Sequence, residues 1–331
     1  MASQCNVSAN SSDYVDTDTA PTWVSLCVTV SGGITILVNI PAVIAMIITK
    51  FRQPKVRMIQ LIILGVTDML AGMSLFPILK TFINPTSNVS YWSCFSRMFF
   101  FGITYYNSIG QLCVICIDRY FLLSRPSWRY TTNYERRYIK MFSVMFIITI
   151  VAICLPFFIL GHHRNVTMVC KLENLFCEDL PQFSAVIGGV AIFIQICIII
   201  CCISMIVVLQ KHRRKCRQIA PLVVSGNSTA ANQSNPEQER QYIKMAKETK
   251  STLTIIIIIA NLIICVSPMN LGFIIHGLNL GKQHDRIGRH LFITLTSLNS
   301  AINPLIYCFR TPEVKATLQS GLDKFRTMFR M

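Results

Sequence analysis

The 331-residue chain holds few side chains able to do chemistry, and they lie far apart in very apolar surroundings. Asp68 is an acid well inside a long hydrophobic run. An ionised carboxylate in hydrocarbon costs several kcal/mol unless it is partnered, so this acid points to a functional polar network. Asn39, Ser108, Asn299, Ser300 and Asn303 sit in other apolar runs and are its candidate partners. Ser108 stands eleven residues before Arg119, about three helical turns, on the same face and deeper in the membrane. Asp118 and Arg119 form an ion pair suited to a wet interface, where the long guanidinium also anchors by reaching for water. His162-His163 lacks the clustered spacing of a metal site, and most of the 14 cysteines fall within apolar runs as small apolar side chains.

Such residues need a scaffold that lipid tolerates. Hydrophobic residues make up 52% of the chain and charged ones only 14%, with a mean hydropathy of +0.50; soluble domains average about 25% charged residues. Seven apolar stretches, 24–49, 57–83, 94–123, 139–160, 183–209, 251–279 and 288–309, are each long enough to cross a bilayer core. Hydrocarbon offers backbone groups no partner, and the two-residue alternation of a barrel strand is absent, so the spans are helices. The expected fold is an all-α membrane protein, a seven-transmembrane helix bundle.

Orientation follows from the charges. Of the 31 basic residues, 24 fall on the side comprising 50–57, 119–140, 211–250 and the tail from Arg310. That side is predicted to be cytoplasmic, which puts the N-terminus outside at the plasma membrane. The formal charge of +16 is thus a topology signal and an attraction to lipid headgroups, not a sign of nucleic-acid binding. N-glycosylation sequons at Asn6, Asn10, Asn88 and Asn165 fall outside, while those at Asn227 and Asn232 fall inside and should be silent. Residues 1–20 are polar and resemble no signal peptide, so the first helix is expected to act as its own insertion signal. The expected organisation is a glycosylated N-terminus over 1–23, a membrane domain over 24–309 and a surface region over 310–331. A long cytoplasmic loop at about 210–250 has a polar centre, 225–238, expected to be disordered. In the surface region Val314, Leu318, Leu322, Phe325 and Phe329 recur at three- and four-residue steps, predicting an amphipathic helix on the inner leaflet.

Two motifs sharpen this outline. Asp118-Arg119-Tyr120 ends the third span, and Asn303-Pro304-Leu305-Ile306-Tyr307 lies near the inner end of the seventh. With these motifs at these depths, the sequence resembles the rhodopsin-like (class A) G-protein-coupled receptors over all seven spans and the helix that follows. The resemblance implies that Arg119 is clasped by Glu248 of the sixth helix in the resting state and released when that helix swings outward about Pro268. It also implies that Asp68, Ser108, Asn299, Ser300, Asn303 and Asn39 form a central polar pocket that can hold a sodium ion. Cys94 matches the cysteine bridged to the second extracellular loop, with Cys170 or Cys177 as its partner. The alternation over 166–173 favours Cys170 slightly, and the cysteine left over could pair with Cys5 or Cys27.

By position, the ligand pocket would be lined by Phe101, Tyr105, Tyr106, Met269, Asn270, Phe273, His276, Arg289 and Ile293. Phe101 stands where amine receptors carry an aspartate, and Ser297 where opsins carry the retinal lysine, so neither a cationic amine nor retinal is expected. A peptide, or a small neutral or anionic molecule met by Arg97, Lys80, His276 and Arg289, remains. Val266 replaces the family's ligand-sensing tryptophan, which passes coupling to Tyr105, Phe101 or Leu262. The fifth helix lacks the family's proline and its inner tyrosine, and the fourth lacks its tryptophan. The expected function is a receptor, not an enzyme, that turns an extracellular ligand into heterotrimeric G-protein activation without a cofactor. The bilayer surrounds it, and arrestin and receptor kinases are further partners, with phosphorylation expected at Ser225, Ser228, Thr229 or Ser234. A constitutively active or accessory receptor-like protein is the alternative that Val266 keeps open. A transporter or channel should show internal repeats or paired broken helices, and none is visible.

Overall fold

The computed structural model describes residues 22–52, 56–83, 88–124, 134–160, 167–170, 175–176, 179–224, 236–278 and 286–328. In chain order the elements are α1 (Thr22–Arg52), α2 (Val56–Ile83), β1 (Asn88–Ser90), α3 (Tyr91–Ser124), α4 (Tyr134–Leu160), β2 (Thr167–Val169), α5 (Leu180–Val224), α6 (Pro236–Gly277), α7 (Arg286–Arg310) and α8 (Pro312–Met328). Each of α1 to α7 contains a stretch apolar and long enough to span a bilayer. The expected seven-helix bundle is therefore present, with all seven spans where the sequence placed them.

Burial separates the helices by role. In α3, 72% of its most apolar window is buried, against 17% in α4. α3 is thus the axis of the bundle, touching α2, α4, α5 and α6, while α4 lies at the periphery. Leu37, Phe193 and Ile264 project from the outer faces, as expected where the surrounding solvent is lipid and apolar exposure carries no penalty. Close helix approach depends on small residues. A Cβ on Gly277 would lie 2.5 Å from the Ala185 backbone nitrogen, so α5 and α6 approach backbone to backbone at this end. A Cβ on Gly65 would lie 2.6 Å from Val43 and 3.2 Å from the Tyr307 hydroxyl, so this glycine makes room for α1 and α7 against α2.

Three features differ from expectation. The connection expected over 210–250 is helical through Val224 and again from Pro236, so α5 and α6 run well beyond their apolar spans. Residues 225–235, with the four expected phosphorylation sites, lie outside the described residues. The strand expected near 166–173 exists as β2, but its antiparallel partner is β1 in the connection between α2 and α3, with Asn88 opposite Val169. Finally, α3 begins at Tyr91, three residues before Cys94.

Cys94 and Cys170 form a disulfide that fastens the end of β2 to the first turn of α3, while Leu175, Phe176 and Leu180 pack around it. At the other end of the bundle α7 passes into α8, the junction held by Thr311 N–H to the Tyr307 carbonyl and Lys315 N–H to the Thr311 carbonyl. Pro312 opens α8, where a missing N–H is tolerated. Val314 is buried and Leu318 partly so, whereas Leu322 is exposed. A Thr49–Thr317 hydroxyl contact of 3.0 Å ties α8 to α1.

Candidate functional site

The centre of the bundle is built on Asp68, which is fully buried. The Ser108 hydroxyl of α3 donates to its Oδ1 at 3.2 Å, and the Asn303 amide of α7 donates to its Oδ2 at 3.0 Å. Ser300 also bonds this carboxylate. Three helices thus meet on one acid, as the cost of burying it requires. Asn303 Oδ1 is buried without a partner among the described residues.

The other expected members are close but are bonded differently. Asn39 donates its amide to the backbone carbonyls of Thr35, at 2.8 Å, and Ser300, at 3.0 Å. Its Oδ1 accepts from the Tyr307 hydroxyl at 3.3 Å, so α1 and α7 are stitched one layer from the acid. Asn299 accepts from Asn261 of α6 at 3.0 Å, a partner the sequence reading missed. The signal was available, since Asn261 is the one amide in the apolar run 252–266. Oxygen ligands from a carboxylate, a hydroxyl and an unpaired amide suit a hard monovalent or divalent cation. Asp68, Ser108 and Asn303 are the residues that would hold it.

Arg119 and Asp118 are both buried, and the described bonds of this pair to α2 run to a residue not singled out from sequence. Gln60 of α2 donates its amide to Asp118 Oδ2 at 2.7 Å, and its carbonyl oxygen accepts from Arg119 Nη2. The Glu248 side chain lies outside the described residues, although its backbone is within α6. On the same end, Arg310 Nε of α7 donates to the Thr254 hydroxyl of α6 at 3.1 Å. Tyr120 is partly buried and its ring tilts against Phe121 at 5.7 Å. Pro268 and Pro304 sit inside α6 and α7.

At the disulfide end the expected lining residues divide. Phe101, Tyr105 and Ile293 line a cavity of about 20 Å³, together with Val266, Ser108 and Asn299. That is room for roughly one water molecule. The cavity lies beside Val266, which is itself buried, and it runs toward the polar centre. The Tyr105 hydroxyl donates to Asn270 Oδ1 at 2.8 Å, joining α3 to α6, and Phe101 stacks on the same ring at 6.1 Å. Tyr106 donates instead to the Ile187 carbonyl of α5 at 3.2 Å, and Met269 accepts from Thr296 at 3.4 Å; neither faces the cavity. Phe273 and His276 are half-buried above, with His276 Nδ1 lacking a partner among the described residues. The side chains of Arg289 and Lys80 lie outside them, as do Cys5, Cys177, Asn6, Asn10 and Asn165. Asn88 is exposed in β1.

Comparison with known proteins agrees with this geometry. Residues 39–307 match the family described as 7 transmembrane receptor (rhodopsin family). Similar proteins include a cannabinoid receptor type 1B of Takifugu rubripes, 27% identical over 63% of this chain and 43% of that protein. A D(5)-like dopamine receptor of Takifugu rubripes is 25% identical over 66% of the chain and 49% of its own length. Cannabinoid receptor 1 of Taricha granulosa is 24% identical over 63% and 43% respectively. The chain spans less than half the length of these relatives.

Proposed function

Because the chain belongs to the rhodopsin family of seven-transmembrane receptors, we propose that it converts an extracellular ligand into nucleotide exchange on a cytoplasmic heterotrimeric G protein, with no catalysis of its own. The observation that carries this reading is the buried polar column: Asp68 bonded from α3 and α7, with Tyr307 on α7 reaching Asn39 of α1. A network of this kind is costly in lipid, and it ties together the helices whose relative motion must change when the Arg119 end opens. The N-terminus faces outward at the plasma membrane, and the basic side faces the G protein. Asn6, Asn10, Asn88 and Asn165 carry glycans. Arrestin and receptor kinases act on the same inner side.

The ligand is a peptide or a small non-amine molecule. Phe101 and Tyr105 offer an aromatic floor with no carboxylate, which suits a neutral or apolar group. The relatives named as cannabinoid receptors fit that surface better than the dopamine-receptor relative, whose amine would find no counter-ion at Phe101. Ligand contact is passed from Tyr105 to Asn270 and so to α6, which swings about Pro268 and frees Arg119 from its restraints, Glu248 among them. A sodium ion held by Asp68, Ser108 and Asn303 would neutralise the buried carboxylate and favour the resting bundle.

A ligand screen read out by G-protein activation in cells tests this reading. A hit whose response vanishes in Arg119→Ala, at equal surface expression, is expected. A response that persists undiminished in Arg119→Ala removes the coupling mechanism.

A further inference from the structure

We propose that Gln60 of α2 is the positioning residue that holds Arg119 in the resting bundle, so that the brake on this end of the receptor runs from α2 to α3. The inference deepens the functional reading above and rests on it. One carboxamide serves both members of the Asp118-Arg119 pair. Its nitrogen donates to Asp118 Oδ2 at 2.7 Å and its oxygen accepts from Arg119 Nη2. Gln60 is 1% exposed, so bulk solvent does not compete for either bond. A carboxamide is suited to this position because it offers a donor and an acceptor in one plane without adding a charge. Leu at the same place would fill similar space and make neither bond.

The surroundings show why this contact restrains motion. Gln60, Arg119, Ile255, Thr254 and Thr311 face a common cavity of about 20 Å³, where α2, α3, α6 and the α7–α8 junction meet. Arg119 Nε has no partner among the described residues, so the guanidinium's described hydrogen bond is the one to Gln60. α6, for its part, is tied to α7 through Thr254 and Arg310. For Arg119 to turn toward a G protein, the bonds that join Gln60 of α2 to the charged pair on α3 must break. Such bonds, each with one charged partner, are stronger than neutral ones. Because they are made in the resting arrangement and lost in the open one, they bias the two-state equilibrium by their difference.

The test uses the full-length receptor in membranes, without ligand, and measures uptake of a GTP analogue by a panel of purified heterotrimers. Gln60→Leu is expected to raise basal exchange about tenfold, which corresponds to about 1.4 kcal/mol of lost resting-state preference. The double variant Gln60→Leu with Arg119→Ala returns to background. Gln195→Leu, the same change at a buried glutamine of α5, stays at the wild-type level. Hydrogen exchange supplies a readout that needs no G protein: in Gln60→Leu, residues 118–124 lose protection while α1 keeps it. Wild-type exchange and unchanged protection in Gln60→Leu would overturn the inference, as would an equal rise in Gln195→Leu. If no variant drives any heterotrimer but residues 118–124 still lose protection in Gln60→Leu, the hold by Gln60 stands and the G-protein reading fails instead.

Discussion

Single side chains decide whether the polar centre is a switch or a scaffold. Asp68 is satisfied by Ser108 and Asn303, yet Asn303 keeps one buried acceptor unpaired, an arrangement suited to a cation. Replacing sodium with a large organic cation is therefore expected to raise basal nucleotide exchange in the wild type, and Asp68→Asn is expected to abolish that difference. A sodium effect equal in both proteins would remove the ion from the account. At the other pocket, Tyr105→Phe deletes the bond to Asn270 and leaves a buried carbonyl oxygen unpaired. A loss of about 1–3 kcal/mol of stability is expected, read as a lower melting temperature in detergent, together with a weaker ligand response. A melting temperature unchanged from the wild type would mean that the α3–α6 bond does not form. The residues that carried these networks were mostly visible as sequence, because a lone Asp, Asn or Ser stands out in an apolar run. Gln60 and Asn261 were not recognised, since neither belongs to a motif and a glutamine near a helix end reads as ordinary interface polarity until its neighbours are known.

Helices and their junctions set where those side chains arrive. The seven spans were legible because lipid forces each to be long, apolar and helical. Their extensions were not. Residues 211–224 and 236–250 are polar enough to read as a loop, yet α5 and α6 carry their hydrogen-bond ladders through them. The β1–β2 pair was half legible: alternation marked β2, but three residues at 88–90 carry too little pattern to reveal a partner. Gly277 shows how closely α5 and α6 approach. Gly277→Ala places a methyl within 2.7 Å of Ala185 backbone and side-chain atoms, and overpacking of this kind costs about 1–3 kcal/mol. Thermal unfolding should register the loss, while Gly189→Ala, where an added methyl meets nothing within 4 Å, should leave it unchanged. The Cys94–Cys170 bridge fixes β2 over α3. Removing it through Cys94→Ser is expected to cost about 2–4 kcal/mol and to reduce surface expression, whereas undiminished expression and stability would assign the bridge no structural weight.

The assembled bundle has one axis, α3, with an aromatic floor near one end and a guanidinium near the other. Asp68 and its partners lie between them, and Val266 leaves a small cavity beside Tyr105 where a bulkier residue would fill the gap. On the proposed function, the bundle has two packings, and contact at the floor is felt at Arg119 through α6 and α7. The charge asymmetry predicts the orientation: antibodies to a tag at the N-terminus should stain intact cells, and a C-terminal tag should stain only after permeabilisation. The opposite result would place Arg119 on the outer side, away from any G protein. The most direct measurement is nucleotide exchange with the purified full-length chain in lipid nanodiscs, a panel of heterotrimeric G proteins and the ligand found by screening. The account predicts faster GTP-analogue uptake than with empty nanodiscs, and a return to the empty-disc rate in Arg119→Ala. Equal rates for empty discs, wild type and Arg119→Ala across the whole panel would contradict it.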